Sequence, residues 1–349
     1  MLVKMYPQEK GLTFGLNKYP GAELRGCVND SEDMANEQVR AYDWDPGNIR
    51  LLTDFRCTRK EMFKRLEWLV DVKKGDRVFF HQSGHGVQFP SRSYSGEPDG
   101  LLEAFCPIDF AWCLDGMVTD KDYVEFFSRI PRGVEFTWVN DSCHSGDLTR
   151  AQPGNPHGPT IVPRSYPVPE DIAWRHKGLK TRNIKSMERA MVCGKMDVGF
   201  VSASRSDQTA ADTFVNGRPC GALTHYFLQT LRGNRQLPLE TVVSMTRDTL
   251  RAQGYTQEPQ AEGRRVDKPF MINRAVPGAP GAVGCISQTG PTGPVEEQVG
   301  VTHASTPESH LDPVGPGGVT GVMGPAGTYL LPFDKEGAQN VCPHCGKTK

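Results

Sequence analysis

This 349-residue chain lacks the features that would mark an exported, membrane-bound or nucleic-acid-binding protein. No stretch approaches the ~18 consecutive apolar residues of a membrane-spanning helix. The opening residues MLVKMYPQEK lack the apolar centre of a secretory signal. A cytoplasmic location is therefore expected. Charge of one sign is missing too: 40 Lys and Arg face 41 Asp and Glu, a net of −1. That balance gives no reason to expect nucleic acid or a membrane surface as partner, and a monomer is expected. Without an export signal, the ten cysteines read as reduced thiols and not as a disulfide framework. Cys57, Cys106, Cys113, Cys193 and Cys220 are expected to be mostly buried or chemically neutral.

What is present is alternation. GLTFGLNKY (11–19) reads as a strand and GCVNDSEDMANEQVRAY as an amphipathic helix that Asn29 or Asp30 could cap. NIRLLTD is a second strand, and Thr58 and Glu61 stand at capping-box spacing before a helix carrying Met62, Phe63, Leu66, Leu69 and Val70. DRVFFHQSGHG gives a strand ending in a glycine loop, DKDYVEFFSRI a helix, and VEFTWVNDSCHSG a strand ending in another glycine-bounded loop. Strands alternating with helices imply an α/β fold, a mainly parallel sheet covered on both faces. In such sheets the site forms where strands end, so SGHG and DSCHSG belong on one edge.

Residues 1–150 form the first portion. Prolines at 153, 156, 159, 163, 167 and 169 and the basic run RHKGLKTRNIK make 151–197 a linker or surface loop. Residues 198–274, with VGFVSASRS and two helices, are too short for a good core alone and are expected to complete the first sheet. From 275 to 349, 24 of 75 residues are Gly or Pro, about 32 %, which passes the low-complexity mark of roughly 25–30 %. Glycine recurs at every third position at 278, 281 and 284 and from 315 to 327. Short, interrupted collagen-like runs favour a flexible tail over a trimeric stalk.

Cysteine catalysis needs a thiolate, an imidazole to move protons and backbone donors for the oxyanion. His85, between Gly84 and Gly86, stands where missing side chains let a peptide approach, and Cys143 follows its strand directly. The Gly86 and Cys143 amides are natural oxyanion donors. A lone His or Cys is more often structural, but these two share a sheet edge. His144 competes as base but cannot easily fold its ring back on its neighbour, and His81 lies within the strand.

FFHQSGHG and WVNDSCHSG resemble the two signature blocks of the metacaspases, relatives of caspases. The likeness runs in order through GCVNDSEDM, DGLLEAFCPIDF, VSASRSDQTAAD and GALTHYF, covering residues 11 to about 274. It implies a caspase-like three-layer sandwich and a cysteine endopeptidase with Cys143 as nucleophile, needing no cofactor for its chemistry. No N-terminal recruitment domain is expected. Positions matching the family's pocket are Cys27, Asp30, Ser83 and Asp141. Two carboxylates there would hold Arg or Lys before the cut bond of a protein substrate.

The resemblance also implies calcium as activator, bound by Asp120 and Asp122 of GMVTDKDY with Asp99, although Lys121 interrupts the acids. Arg175, Lys177, Lys180, Arg182 and Lys185 become candidates for self-cleavage in the linker. Cys342 and Cys345 of VCPHCGKTK look like half a zinc knuckle, for which no second pair stands nearby. The alternatives are a caspase-fold interaction module without catalysis and a related peptidase of different specificity.

Overall fold

Strands buried on both faces read as unbroken apolar runs, and VFF at 78–80 and FTWV at 136–139 lie in the two middle strands of the main sheet. The computed structural model describes residues 7–90, 101–143, 160–166, 168–172, 196–205 and 208–271. The strands are β1 (Glu9–Gly15), β2 (Ile49–Thr53), β3 (Arg77–Ser83), β4 (Gly86–Pro90), β5 (Leu101–Phe105), β6 (Val118–Thr119) and β7 (Glu135–Asp141). They continue as β8 (Val162–Pro163), β9 (Gly199–Ser202), β10 (Ala211–Val215), β11 (Arg218–Gly221) and β12 (Gln260–Glu262). Helices are α1 (Cys27–Tyr42), α2 (Arg59–Val70), α3 (Asp120–Phe127), α4 (Ala222–Gly233) and α5 (Leu239–Ala252).

Six strands form the main sheet in the order β12-β9-β7-β3-β1-β2, parallel throughout except at β12. The period of two sorts its side chains. Val78, Phe80, Phe136 and Trp138 pack with Met62 and Leu66 of α2 and Phe126 and Phe127 of α3. Phe79, Val139 and Val201 pack with Met34 of α1, Leu223 and Phe227 of α4 and Val242 of α5. The result is the three-layer α/β sandwich of the caspase type. β9 pairs with β7, so residues beyond 198 extend the same sheet. Two small antiparallel sheets, β4-β5-β6 and β11-β10-β8, were not foreseen from the sequence. No described helix is long and apolar enough to cross a membrane.

Two local expectations are corrected. The first strand ends at Gly15, not Tyr19, because the chain turns there to let Asn17 serve the next helix. That helix starts at Cys27 after Gly26, and no side chain of its own caps it. Asn17 Oδ1 accepts from the Cys27 and Val28 amides at 2.9 and 3.4 Å, leaving Asn29 and Asp30 inside the first turn. Thr58, by contrast, caps α2 by accepting from the Glu61 amide. Of the thiols, Cys57, Cys106 and Cys220 are buried, Cys113 is half-buried and Cys193 lies outside the described residues.

Candidate active site

Register sets the geometry. Ser83 on β3 is paired with Asp141 on β7, so two residues further along neighbouring strands come His85 and Cys143. Parallel neighbours are about 4.8 Å apart, which brings the two loops side by side. His85 is buried, with Nε2 2.7 Å from the Ala22 carbonyl. A carbonyl only accepts, so Nε2 carries the hydrogen and, in the neutral ring, Nδ1 keeps a lone pair. Burial pushes the imidazole down to about 4, against the pull of the Ala22 carbonyl. Its backbone is fixed by Tyr19, whose hydroxyl accepts from the His85 amide at 3.2 Å and donates to the Cys106 carbonyl at 2.8 Å.

Of the two glycines around His85, Gly84 serves a different end from the one expected. A methyl group on Gly84 would run into the Tyr19 hydroxyl and the Phe105 ring, so the missing side chain makes room for the wall behind the histidine. Gly86 is where a chain does approach. The Gly86 and Cys143 amides both donate to one oxygen, the carbonyl of Arg164, at 3.0 and 3.3 Å. Such a pair of donors on one carbonyl is chemically fit to hold an oxyanion. Cys143 Sγ is directed to the Gln208 carbonyl at 3.4 Å, and His85 Nδ1 is buried on the side of the Arg164 backbone, with no well-formed hydrogen bond among the described residues.

Arg164 was not singled out in the sequence, and it organises the site. Residues 160–166 lie across the two loops as an added strand. Val162 and Pro163 pair with Asp212 and Ala211, the Arg164 amide donates to the Ala210 carbonyl at 3.0 Å, and the Tyr166 amide donates to the Gly86 carbonyl at 3.1 Å. The Arg164 side chain is fully buried. Its Nη2 lies 2.6 Å from Asp30 and 2.9 Å from Asp212, and its Nη1 lies 3.1 Å from Asp141 Oδ1 and 2.7 Å from Ser83 Oγ. Cys27 lines the same pocket, where burial pushes its thiol up and Arg164 opposes the rise. The four positions expected to line a pocket for a basic residue are thus brought together around an arginine of the same chain.

Asp212 is the fifth member and was overlooked, although it lies in the quoted block VSASRSDQTAAD. Its two oxygens also accept from the Arg25 and Gly26 amides at 2.9 and 3.0 Å. The start of α4 supplies the remaining compensation: the Thr224 amide and hydroxyl donate to Asp141 at 3.0 and 2.6 Å, and the Gly221 amide to Asp30 at 2.8 Å. A side chain on Gly221 would strike Asp141 and Arg164, so only glycine fits that wall. Three carboxylates around one guanidinium leave an excess of negative charge, and burial pushes the Asp30 carboxyl up to about 6 despite Arg164.

Other candidates stand apart. His81 is buried behind the pocket, 3.4 Å from Thr224 Oγ1, and burial holds it down at about 3. Asp122 is engaged as the cap partner of Thr119 and faces Arg59 at 3.8 Å, while Asp120 accepts from the Lys121 amide. Among the described residues no three acidic, His or Cys side chains gather as a metal cluster, so Asp120 and Asp122 do not by themselves fit a calcium cradle. Asp99, His144, Arg175, Lys177, Lys180, Arg182, Lys185, Cys342 and Cys345 lie outside the described residues.

The chain is similar to known proteins in sequence and in fold. Residues 9–151 match the metacaspase, peptidase C14 domain. Metacaspase-1A of Aspergillus oryzae is 30% identical over 281 residues, covering 72% of this chain and 66% of that protein. Metacaspase-1 of Pyricularia oryzae is 28% identical over 284 residues, covering 72% and 71%, and that of Coccidioides immitis is 29% identical over 284 residues, covering 72% and 61%. The chain thus spans between 61% and 71% of the length of these relatives. A crystal structure of a Geobacter sulfurreducens protein shares the fold, with a TM-score of 0.56 and 22% identity over 77% of this chain and 100% of that one. By profile and relatives, residues 9–151 belong to the metacaspase, peptidase C14 family.

Proposed function

We propose that this chain cuts peptide bonds after arginine, and less readily after lysine, and that residues 160–166 hold it latent by lying in the site as a substrate does. One observation carries this reading: the Arg164 carbonyl accepts from the Gly86 and Cys143 amides while its guanidinium fills the pocket of Asp30, Asp141 and Asp212. A planar guanidinium can reach three carboxylates at once, whereas an ammonium is a single point of charge. Ile161 and Val162 stand exposed, which supports a pocket that reads one side chain on this side of the bond.

In the reaction, His85 Nδ1 takes the Cys143 proton, and the thiolate attacks the arginine carbonyl carbon. The oxyanion forms between the Gly86 and Cys143 amides, the C–N bond breaks, and the departing amine leaves with the proton from His85. Water then hydrolyses the thioester, returning the thiol and releasing the arginine carboxylate. In the latent state Sγ is directed to the Gln208 carbonyl, and in the reaction its proton passes to Nδ1 instead. Cutting the Arg164–Ser165 bond would free the site. Calcium enters this proposal only as an activator outside the chemistry.

The purified full chain should hydrolyse peptides with Arg before the cut, then Lys, with little action on Asp or Asn. Cys143→Ala should lose on the order of 10⁴-fold or more in kcat/KM. Mass spectrometry should find a new end at Ser165 in wild type and none in Cys143→Ala. Assays with calcium and with a chelator show whether the ion is needed. Arginine hydrolysis that survives Cys143→Ala would overturn the mechanism, preference for Asp would overturn the pocket, and first cuts at Arg175 to Lys185 would overturn the role of Arg164.

A further inference from the structure

Tyr166, two residues beyond the Arg164 carbonyl, is seated in a cleft that neither the acidic pocket nor the reacting atoms require. Its ring centre lies 5.1 Å from that of Phe110, 5.5 Å from His85 and 5.9 Å from Tyr19. The last two are edge-to-face, at 82° and 74°, the arrangement that adds attraction beyond area buried. Trp112 backs Phe110 at 5.0 Å. The tyrosine hydroxyl donates to the Pro20 carbonyl at 2.9 Å, and its amide to the Gly86 carbonyl.

The walls of the cleft are tied in place by other parts of the chain. Tyr19 is only 1% exposed and its hydroxyl is tied at both ends, to the His85 amide and the Cys106 carbonyl. Phe110 is held by its amide's bond to the Pro107 carbonyl. Because His85 is one wall, an aromatic occupant also lies over the imidazole and shields it from water. The polar atom at the mouth, the Pro20 carbonyl, accepts hydrogen bonds and repels a carboxylate.

We infer that this cleft is a substrate subsite that takes an aromatic side chain at the second position after the cut bond. The inference rests on reading residues 160–166 as substrate-like. It adds a second point of recognition: arginine before the bond and Tyr, Phe or Trp two residues after its carbonyl. Acidic residues there are disfavoured.

The test is a competition among peptides Thr-Ile-Val-Pro-Arg-Ser-Xaa-Pro-Val, with Xaa as Tyr, Phe, Trp, Ala or Asp, cut together by the full-length chain. Product ratios report relative kcat/KM independently of how much enzyme is free of its own strand. The aromatic peptides should exceed the Ala peptide by roughly three- to tenfold, the increment that one or two aromatic contacts bring, with Asp slowest. Phe110→Ala should draw the aromatic-to-Ala ratio toward one while the Arg-to-Lys ratio before the cut keeps its value. Equal cutting after Arg in all five peptides would overturn the subsite and leave the arginine reading standing. Cutting after Arg in none of them would overturn the reading on which both rest.

Discussion

The strand laid across the site has two halves held by different physics. Before the Arg164 carbonyl, Val162 and Pro163 pair with β10 and the guanidinium is wholly buried among three carboxylates. After it, a single backbone bond from Tyr166 and a set of ring contacts do the holding, with the Tyr166 hydroxyl near solvent. Buried ion pairs are costly to break from one side, because what remains is uncompensated charge. Ring contacts at a half-open cleft are lost gradually. The first half therefore acts as anchor and the second as an adjustable cover over His85.

Removing the anchor should have the largest effect. Arg164→Ala leaves Asp30, Asp141 and Asp212 buried without their cation, a change of about 3–5 kcal/mol for a broken buried pair. Most of that strain is relieved if the strand lifts away. Cys143, 1% exposed in the closed state, should then react with iodoacetamide on the order of a hundredfold faster, the factor that ~3 kcal/mol implies. Peptide mapping separates its label from that of half-buried Cys113. Arg164→Lys should fall between the two, since it keeps the charge and loses the fork. Labelling of Cys143 in both variants as slow as in wild type would mean that something else covers the thiol.

A smaller effect comes from titrating the anchor instead of deleting it. Asp30, faced by Arg164, Asp141, Asp212, Cys27 and Cys220, titrates at about 6 with Arg164 in place. Once the strand leaves, both the burial that raises Asp30 and the guanidinium that opposes it are lessened, and an incoming arginine restores both. Activity on added arginine peptides should therefore fall as pH drops through the region near 6. His85 must be neutral to accept a proton, and its pull down to about 4 belongs to the closed state, so it titrates in the same region when uncovered. Two protonations give log kcat/KM a limiting acid slope of about two, and Asp30→Asn should reduce it to about one. The same groups oppose each other in folding. Asp30 is raised above 3.8, so it stabilises the closed fold as pH falls from about 6 to 4, whereas His85, held below 6.5, destabilises it over nearly the same interval.

The contrast between the halves also explains what the sequence could disclose. The main sheet was legible because strands buried on both faces must be apolar runs such as VFF and FTWV, and glycine loops behind them located His85 and Cys143. Cys27, Asp30, Ser83 and Asp141 came from family resemblance, since four residues from α1, β3 and β7 have no common spacing. Arg164 was hidden because β8 is two residues long and shows no periodicity, while Pro163 and Pro167 make its surroundings read as linker. The available signal was a single arginine in an extended Pro-flanked segment, in a chain whose pocket is acidic. Asp212 was hidden because no strand was read between VGFVSASRS and the helix that follows, so nothing placed β10 beside the pocket.

The finest test of the two halves is Tyr166→Ala. It removes the ring over His85 and the hydroxyl bond to Pro20 but leaves the ion pairs and the β10 pairing intact. Edge-to-face contacts of this kind are worth about 0.5–1.5 kcal/mol, or roughly three- to tenfold in an opening equilibrium. Cys143 labelling should quicken by that modest factor, well short of the Arg164→Ala change, and Tyr166→Phe should recover most of the protection because the hydroxyl faces water. The self-cut should still occur at the same bond, since Arg164 remains in its pocket, with a slower rate if the cleft positions the leaving segment. If Tyr166→Ala exposed Cys143 as fully as Arg164→Ala, the cover and not the ion pairs would be the anchor, and the division between the halves would be reversed.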